Sequence, residues 1–306
     1  WVVPVSINIS STELEQLDIK IASFAIRSSA IAEDGVKFSY AGLFYSGLDI
    51  RRPHILDEIT KVRKSIGLAR VHSYIKKFNL PQNPSIAVII QEYIDPTISG
   101  VWLGQNLTKG NIEWVEGSGD KLVSGHVVPQ RVTILGTHGN ILKNGISLDG
   151  FVSNILHMQK TFGVPLDIEW CVKDNDFYLL QARPVTAHLH PQQTTTSRSL
   201  SSTSWVGIAA SPGKYSGHIT VMKDRDNIIL SDIEILVTEF TDPDWIPVML
   251  RARAIVTEQG GALSHTAIIA REIGIPCVTG IKGIASILRS GDLILVNGSD
   301  GRVERK

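Results

Sequence analysis

Residues 254–276 read AIVTEQGGALSHTAIIAREIGIP, and this stretch decides how the C-terminal part of the chain folds. The apolar, β-branched run AIVTEQ stops at Gly260-Gly261, as a strand does before a turn. From Ser264 onward apolar residues recur at helical spacing, and Ser264 is a fitting N-cap. Gly274 and Pro276 then end the helix. His265 therefore opens a helix behind a diglycine, where backbone N–H groups and the positive end of the dipole gather. A phosphoryl group suits that place, given an accessible imidazole, donors for its oxygens and no bulky side chain at the approach. A histidine at a helix start is more commonly a satisfied structural residue, and these features alone leave both readings open. Glu272 lies near the His265 face but two turns on, roughly 10 Å along the axis, too far for direct proton transfer. Arg271 and Glu272 read as structural or interdomain contacts.

Outward from this stretch, HITVM, EILVTEF, CVTGI and DLILVNG are short strands separated by turn residues. Upstream, residues 188–204 (HLHPQQTTTSRSLSSTS) hold almost nothing that could build a core, the composition of a flexible linker. The expected division is 1–187, a linker over 188–204, and a C-terminal domain over 205–306. In the N-terminal part SFAIRSS (23–29) and SIAVIIQEYI (85–94) read as buried strands. Residues 55–78 carry apolar positions at helical spacing, among them Ile55, Ile59, Val62, Ile66 and Ala69.

The chain has 306 residues, 30 basic and 30 acidic, hence no formal net charge. Nucleic acid and anionic membranes normally call for a basic excess or patch, so neither is expected as a partner. No apolar run approaches the roughly 20 residues of a membrane span, and no secretory leader is visible. The two cysteines, Cys171 and Cys277, form neither a disulfide framework nor a zinc motif, which fits a reducing, cytoplasmic location.

DIEWCVKDNDFYLLQARPV (167–185) reads as a β-hairpin around the turn KDND. If Glu169 faces Gln181, then Asp167 faces Arg183, and one sheet face holds two carboxylates, an amide and a guanidinium. Oxygen donors of this kind suit Mg²⁺, and the planar fork of arginine suits phosphate. A polar sheet face is as often simply solvated.

The string GGALSHTAIIAREIGIPCV (260–278) resembles the phosphohistidine motif of the mobile domain in phosphoenolpyruvate-utilising enzymes, GG-x-T-S-H-A-A-I-I-A-R-E-x-G-I-P-A-V. Leu263 stands where many members have Thr, which argues against regulation through a phosphorylated threonine there, and Thr266 replaces Ala or Gly. TDPDWIPVM (241–249) and GIAASPGKYSGHITVM (207–222) resemble other parts of the same domain. DIEW…LQARP resembles the closing hairpin of the ATP-grasp nucleotide domain in phosphoenolpyruvate synthases, pyruvate phosphate dikinases and rifampin phosphotransferases. FAIRSSAIAEDG (24–35), SYAGLFYSGLDI (39–50), IIQEYIDPTISGV (89–101) and WVEGSGDKLVSG (114–125) resemble further segments of that domain.

What the resemblance implies is a mixed α/β (α+β) fold. An ATP-grasp-type domain lacking its N-terminal subdomain would be linked to a swivelling β/β/α phosphohistidine domain. His265 would be the catalytic phosphocarrier. Glu169 and Gln181 would hold magnesium and nucleotide, and Arg27 and Arg183 would contact phosphates. Gly42 and Ser46 would supply backbone and hydroxyl contacts, with Gln91 and Glu92 at the adenine pocket. The implied activity is dikinase-type phosphotransfer from ATP, with Mg²⁺, through phosphohistidine to a small-molecule acceptor, releasing AMP and phosphate. In that family an earlier Gly-Gly-Lys segment grips ATP, and none occurs in the 26 residues before Arg27. The expectation is therefore a fragment, a site completed by a second chain, or weakened ATP binding. Neither the family's pyruvate-binding TIM barrel nor its antibiotic-binding insertion is accommodated in this chain, so neither acceptor is expected of this chain alone, and a different small acceptor near the domain junction is an open alternative. An ATP-driven ligase and a partner-dependent, non-catalytic subunit are the remaining alternatives.

Overall fold

The computed structural model describes residues 2–5, 10–15, 20–30, 42–82, 84–119, 129–134, 145–185, 198–201, 203–224 and 232–306. Positions 31–35, 39–41 and 120–125 of the motifs above, and 188–197 and 202 of the linker-like stretch, lie outside them. The chain divides into two compact units, Trp1–Asp95 and Pro96–Lys306. The hairpin over 167–185 and the helix beginning at His265 thus belong to the same unit.

In the first unit β1 (Val2–Val3), β2 (Phe24–Ala30), β3 (Gly47–Ile50) and β4 (Ile86–Glu92) form an antiparallel sheet in the order β1-β4-β2-β3. Alternation along β2 and β4 turns Phe24, Ile26, Val88 and Ile90 to one buried face. Helices α1 (Ser11–Leu14), α2 (Ile55–Lys64) and α3 (Ala69–Phe78) accompany the sheet. Helix α2 packs on β2 and β4 and buries Ile55, Ile59 and Val62. The single helix expected over 55–78 is in fact broken. Ser65–Gly67 form a 3₁₀ turn, and Leu68 is extended with ψ 144°. The Ser65 hydroxyl donates back to the Val62 carbonyl at 2.6 Å, and Gly67 has little helix preference, so periodicity continues while the backbone does not.

In the second unit β5 (Ile98–Asn106), β6 (Lys109–Glu116), β7 (Gln130–Ile134), β8 (Leu166–Lys173) and β9 (Asp176–Pro184) form an antiparallel sheet ordered β7-β6-β5-β8-β9. One face, with Trp102, Trp114, Ile168 and Trp170, packs on Val152 and Ile155 of α4 (Asp149–Phe162). Buried Gln159 of α4 stitches this layer together. Its Oε1 accepts from Trp102 Nε1 (3.1 Å) and the Leu166 amide (2.9 Å), while its Nε2 donates to the Asn106 carbonyl (3.1 Å).

The rest of the unit is built on β10 (Arg198–Ser201), β11 (Ser204–Val206), β12 (Ile208–Ser211), β13 (Lys214–Val221), β14 (Ile233–Thr238), β15 (Ala252–Thr257), β16 (Cys277–Thr279), β17 (Leu293–Asn297) and β18 (Arg302–Arg305). They run in the order β10-β11-β18-β17-β13-β14-β15-β16-β12. Strands β13 to β16 are parallel to one another, and Ile235, Val237, Ala254, Val256, Ile294 and Val296 form the core. Helices α5 (Ile246–Met249), α6 (His265–Ile273) and α7 (Ile284–Ile287) complete it. The end of the stretch read as linker is strand. β10 pairs with β11, and β11 with β18, where β11 buries Trp205 and Val206. No helix among the described residues is long and apolar enough to cross a membrane.

Candidate active site

The second face of the five-stranded sheet is polar, and its register lines the polar residues up. One straight row runs Arg131, Glu113, Val101, Glu169, Gln181 across β7, β6, β5, β8 and β9. The next runs Thr133, Asn111, Leu103, Asp167, Arg183. Both pairings read from the hairpin sequence are therefore present, but for a reason the sequence conceals. The turn residues Asp174 and Asn175 both have positive φ (52° and 68°), as a two-residue hairpin turn requires. Pairing from that turn would set Glu169 one residue out of step with Gln181. A bulge between the Trp170–Leu179 and Glu169–Gln181 pairs adds one residue and restores the alignment.

Glu169 and Gln181 are thus cross-strand neighbours, both half-buried, and offer a hard carboxylate and an amide oxygen side by side. Among the described residues no three His, Cys, Asp or Glu side chains gather as a cage. Magnesium that takes most of its ligands from phosphate and water needs only one or two protein oxygens, so this pair fits it. Arg183 donates from Nε (2.9 Å) and from a terminal nitrogen (2.8 Å) to the same Asp167 oxygen, which fixes the plane of its guanidinium.

Onto this face is laid the loop that precedes His265. Both oxygens of Glu113 accept from it, one from the Ala262 amide (3.2 Å) and the other from the Leu263 amide (3.3 Å). Leu263 rests on Val101 and Leu103, the residues paired with Glu169 and Asp167. A Cβ at Gly261 would overlap the Glu113 carboxylate and the Pro129 ring, so only glycine lets the loop approach this closely. Its neighbour Gly260 has φ 99°, a backbone only glycine adopts readily. From the other side half-buried Arg271 donates to the carbonyls of Ala262 (2.8 Å) and Ala210 (2.7 Å). Glu113 is 1% exposed, and burial raises its pKa above the ordinary carboxylate value, opposed by Arg131 and the two amides.

His265 is the first residue of α6, behind Ser264 at the N-cap. The Ser264 side chain does not cap the helix as expected. Its hydroxyl donates to the Gly261 carbonyl (2.9 Å) and tightens the loop instead. The imidazole expected to be accessible is 3% exposed, because all of 260–267 is buried in this arrangement. His265 Nδ1 lies 3.3 Å from Thr241 Oγ1, which is 2.7 Å from Thr266 Oγ1. Thr241 is held by the turn it starts, where the Asp242 side chain accepts from the Asp244 amide (2.8 Å) and Trp245 is buried.

In the first unit Arg27 and Gln91 share a sheet face, since Arg27 pairs with Ile89 and Ala25 with Gln91. Glu92, paired with Phe24, points to the opposite face. Gly42 (φ 67°) and Ser46 are exposed in the segment before β3. His265, Glu169, Gln181 and Arg183 all lie in the second unit. Glu113 and Thr241 were not singled out from sequence. Thr241 opens the quoted TDPDWIPVM, and Glu113 stands one residue before WVEGSGDKLVSG.

Residues 6–151 and 147–203 match the pyruvate phosphate dikinase AMP/ATP-binding domain, and residues 230–301 match the mobile domain of PEP-utilising enzymes. The chain is 32% identical, over 91% of its length, to a probable phosphoenolpyruvate synthase of Methanothermobacter thermautotrophicus, of which it covers 46%. A probable phosphoenolpyruvate synthase of Archaeoglobus fulgidus is 28% identical, with 92% of this chain and 44% of that one covered. The phosphoenolpyruvate synthase of Pyrococcus furiosus is 29% identical, with 91% and 40% covered. The chain spans less than half the length of these curated relatives. With matches over 6–203 and again over 230–301, the chain belongs to the PEP-utilising enzyme family, carrying an ATP-grasp-type nucleotide-binding domain and the family's mobile domain.

Proposed function

We propose that this chain performs the ATP half-reaction of a dikinase-type phosphotransferase, with His265 as the phosphoryl carrier. The observation that carries the reading is the seating of the His265 loop on the sheet face that bears Glu169, Gln181 and Arg183. The domain boundaries proposed with it are 1–187 for nucleotide binding and 205–306 for the carrier.

In the tautomer protonated at Nδ1, that N–H donates to Thr241 Oγ1, whose own hydroxyl then donates to Thr266 Oγ1. The lone pair is then on Nε2, which attacks the β-phosphorus of ATP. The bond from that phosphorus to the oxygen bridging it to the α-phosphate breaks, and AMP leaves with the electron pair. The pyrophosphorylated histidine loses its outer phosphate to water, and the remaining phosphoryl group passes to a small-molecule acceptor. Covalent transfer of this kind replaces one difficult step by easier ones. Glu169 and Gln181 would hold magnesium, which neutralises charge on the transferring phosphates. Arg183, its plane fixed by Asp167, would contact a phosphate oxygen. Arg27 and Gln91, on their shared face, would contact phosphate and base, with Gly42 and Ser46 as further nucleotide contacts, whereas Glu92 faces the other way. Any Gly-Gly-Lys grip on ATP would come from another segment or chain.

The test is incubation with Mg²⁺ and ATP labelled at the β-phosphate. An acid-labile, alkali-stable protein label that disappears in His265→Ala supports the reading. A label that persists in His265→Ala, or none on folded protein supplied with the complementary segment, overturns it.

A further inference from the structure

We infer that Glu113 is a positioning residue for the ATP half-reaction, seating the His265 loop against the nucleotide-binding sheet through its two carboxylate oxygens without touching nucleotide. The inference rests on the function proposed above and extends it to a residue with no role in the chemistry itself.

Three features of the contact point this way. First, the two acceptors of one carboxylate meet the amides of two consecutive loop residues, Ala262 and Leu263, immediately before the helix that His265 opens. Such a bidentate grip fixes orientation as well as distance. Second, Glu113 occupies the same sheet row as Glu169 and Gln181, with only Val101 between Glu113 and Glu169. The pleat thereby sets the spacing between the loop's anchor and the oxygen pair suited to magnesium. Third, the loop is shaped for the carboxylate, since Gly261 leaves the space that its oxygen occupies. Cohesion alone would be better served by an apolar side chain, because burying a carboxylate carries a desolvation penalty. Two charge-assisted bonds, unlike an apolar contact, exchange readily for water when the surfaces part. The contact is therefore suited to a carrier that must be held accurately and then released.

Glu113→Gln tests this in the full chain, because an amide offers one acceptor and one donor where two acceptors are required. The expected result is a fall in the rate of His265 labelling from β-labelled ATP of roughly tenfold to a hundredfold. Affinity for a non-hydrolysable ATP analogue should stay within about twofold, the melting temperature should hold, and hydrogen exchange at the Ala262 and Leu263 amides should quicken. Glu113→Asp should recover part of the rate. Gly261→Ala keeps Glu113 but wedges the loop away from it, and should slow labelling equally. Wild-type labelling rates in Glu113→Gln, or unchanged exchange at the two amides, overturn the inference. So does a loss of labelling that merely tracks lost nucleotide affinity or melting temperature. No label on the wild-type chain supplied with the complementary segment would overturn the proposed function and this role together, whereas a labelled wild type with an unaffected Glu113→Gln overturns this role alone.

Discussion

The hydroxyl of Thr241 lies 3.3 Å from His265 Nδ1 and 2.7 Å from the hydroxyl of Thr266, so a buried relay of two threonines ends on the imidazole. Thr241→Val keeps the shape and removes the relay. Labelling of His265 should slow roughly tenfold, the kinetic equivalent of one buried hydrogen bond of about 1.4 kcal/mol. Nitrogen-15 chemical shifts of the imidazole should move towards a tautomer mixture, and Thr241→Ser should restore both. An unchanged rate in Thr241→Val would remove Thr241 from the mechanism.

His265 and Glu169 should fail differently. His265→Ala should abolish the phosphoprotein while an ATP analogue still binds. Glu169→Ala leaves the nucleophile but takes away a metal oxygen, so labelling should fall on the order of a hundredfold. Excess Mg²⁺ should recover part of that loss, which titration of the labelling rate with metal measures. Equal loss of nucleotide binding in both variants would contradict this division of roles.

Gln159 satisfies two N–H donors and one carbonyl inside the layer between α4 and its sheet. Gln159→Leu fills the space and orphans all three. Denaturant unfolding should show a loss of about 2–4 kcal/mol with little change in slope. A loss below about 1 kcal/mol would mean that other groups or water take over its partners.

Asp292 accepts from the Arg289 amide (3.0 Å) and from Arg305 (2.8 Å), whose guanidinium lies over Trp205 at 5.9 Å. The Arg289 amide, then Arg305, lower its pKa from 3.8. The native state therefore binds this proton more weakly than the unfolded chain. The stabilisation is full above the unfolded value and is lost as pH falls through the lower native one. Asp292→Asn should cost about 0.5–1 kcal/mol near pH 7, with the difference from wild type closing as pH falls through the lowered native value. Urea melts across that range measure it, and a pH-independent difference would sink the assignment.

Burial pushes the Cys277 thiol up to about 12, and Cys171 is buried as well. At pH 8 the Cys277 thiolate fraction is then about one in ten thousand. A thiol-titrating disulfide reagent should find no fast-reacting cysteine in the native protein and two after denaturation. A fast native reaction would place at least one thiol nearer the surface.

Much of the carrier half is legible because its signals are local. The diglycine, the serine before the helix and Gly274-Ile-Pro276 mark the turn, start and stop of α6 within 20 residues. What eludes the sequence is what joins distant segments. Glu113 meets residues 149 and 150 positions away, and no local signal shows which distant segment its carboxylate meets. The hairpin face was readable only because a bulge compensated for the length of its turn, and bulges leave little trace in residue type. The break between α2 and α3 was invisible for the opposite reason, since apolar spacing persisted across a turn that Ser65 had already closed.

Arg271 grips the Ala262 carbonyl while Glu113 holds the Ala262 amide, so one residue's backbone is anchored from both sides. The two anchors differ in ownership, because Arg271 belongs to the helix that His265 begins and its other bond, to Ala210, stays within the same part of the chain. Severing the Glu113 contacts therefore leaves the loop's internal scaffold whole. In the proposed carrier role the histidine would travel with its surroundings already shaped, and a second destination would have only to fit a form cast beforehand.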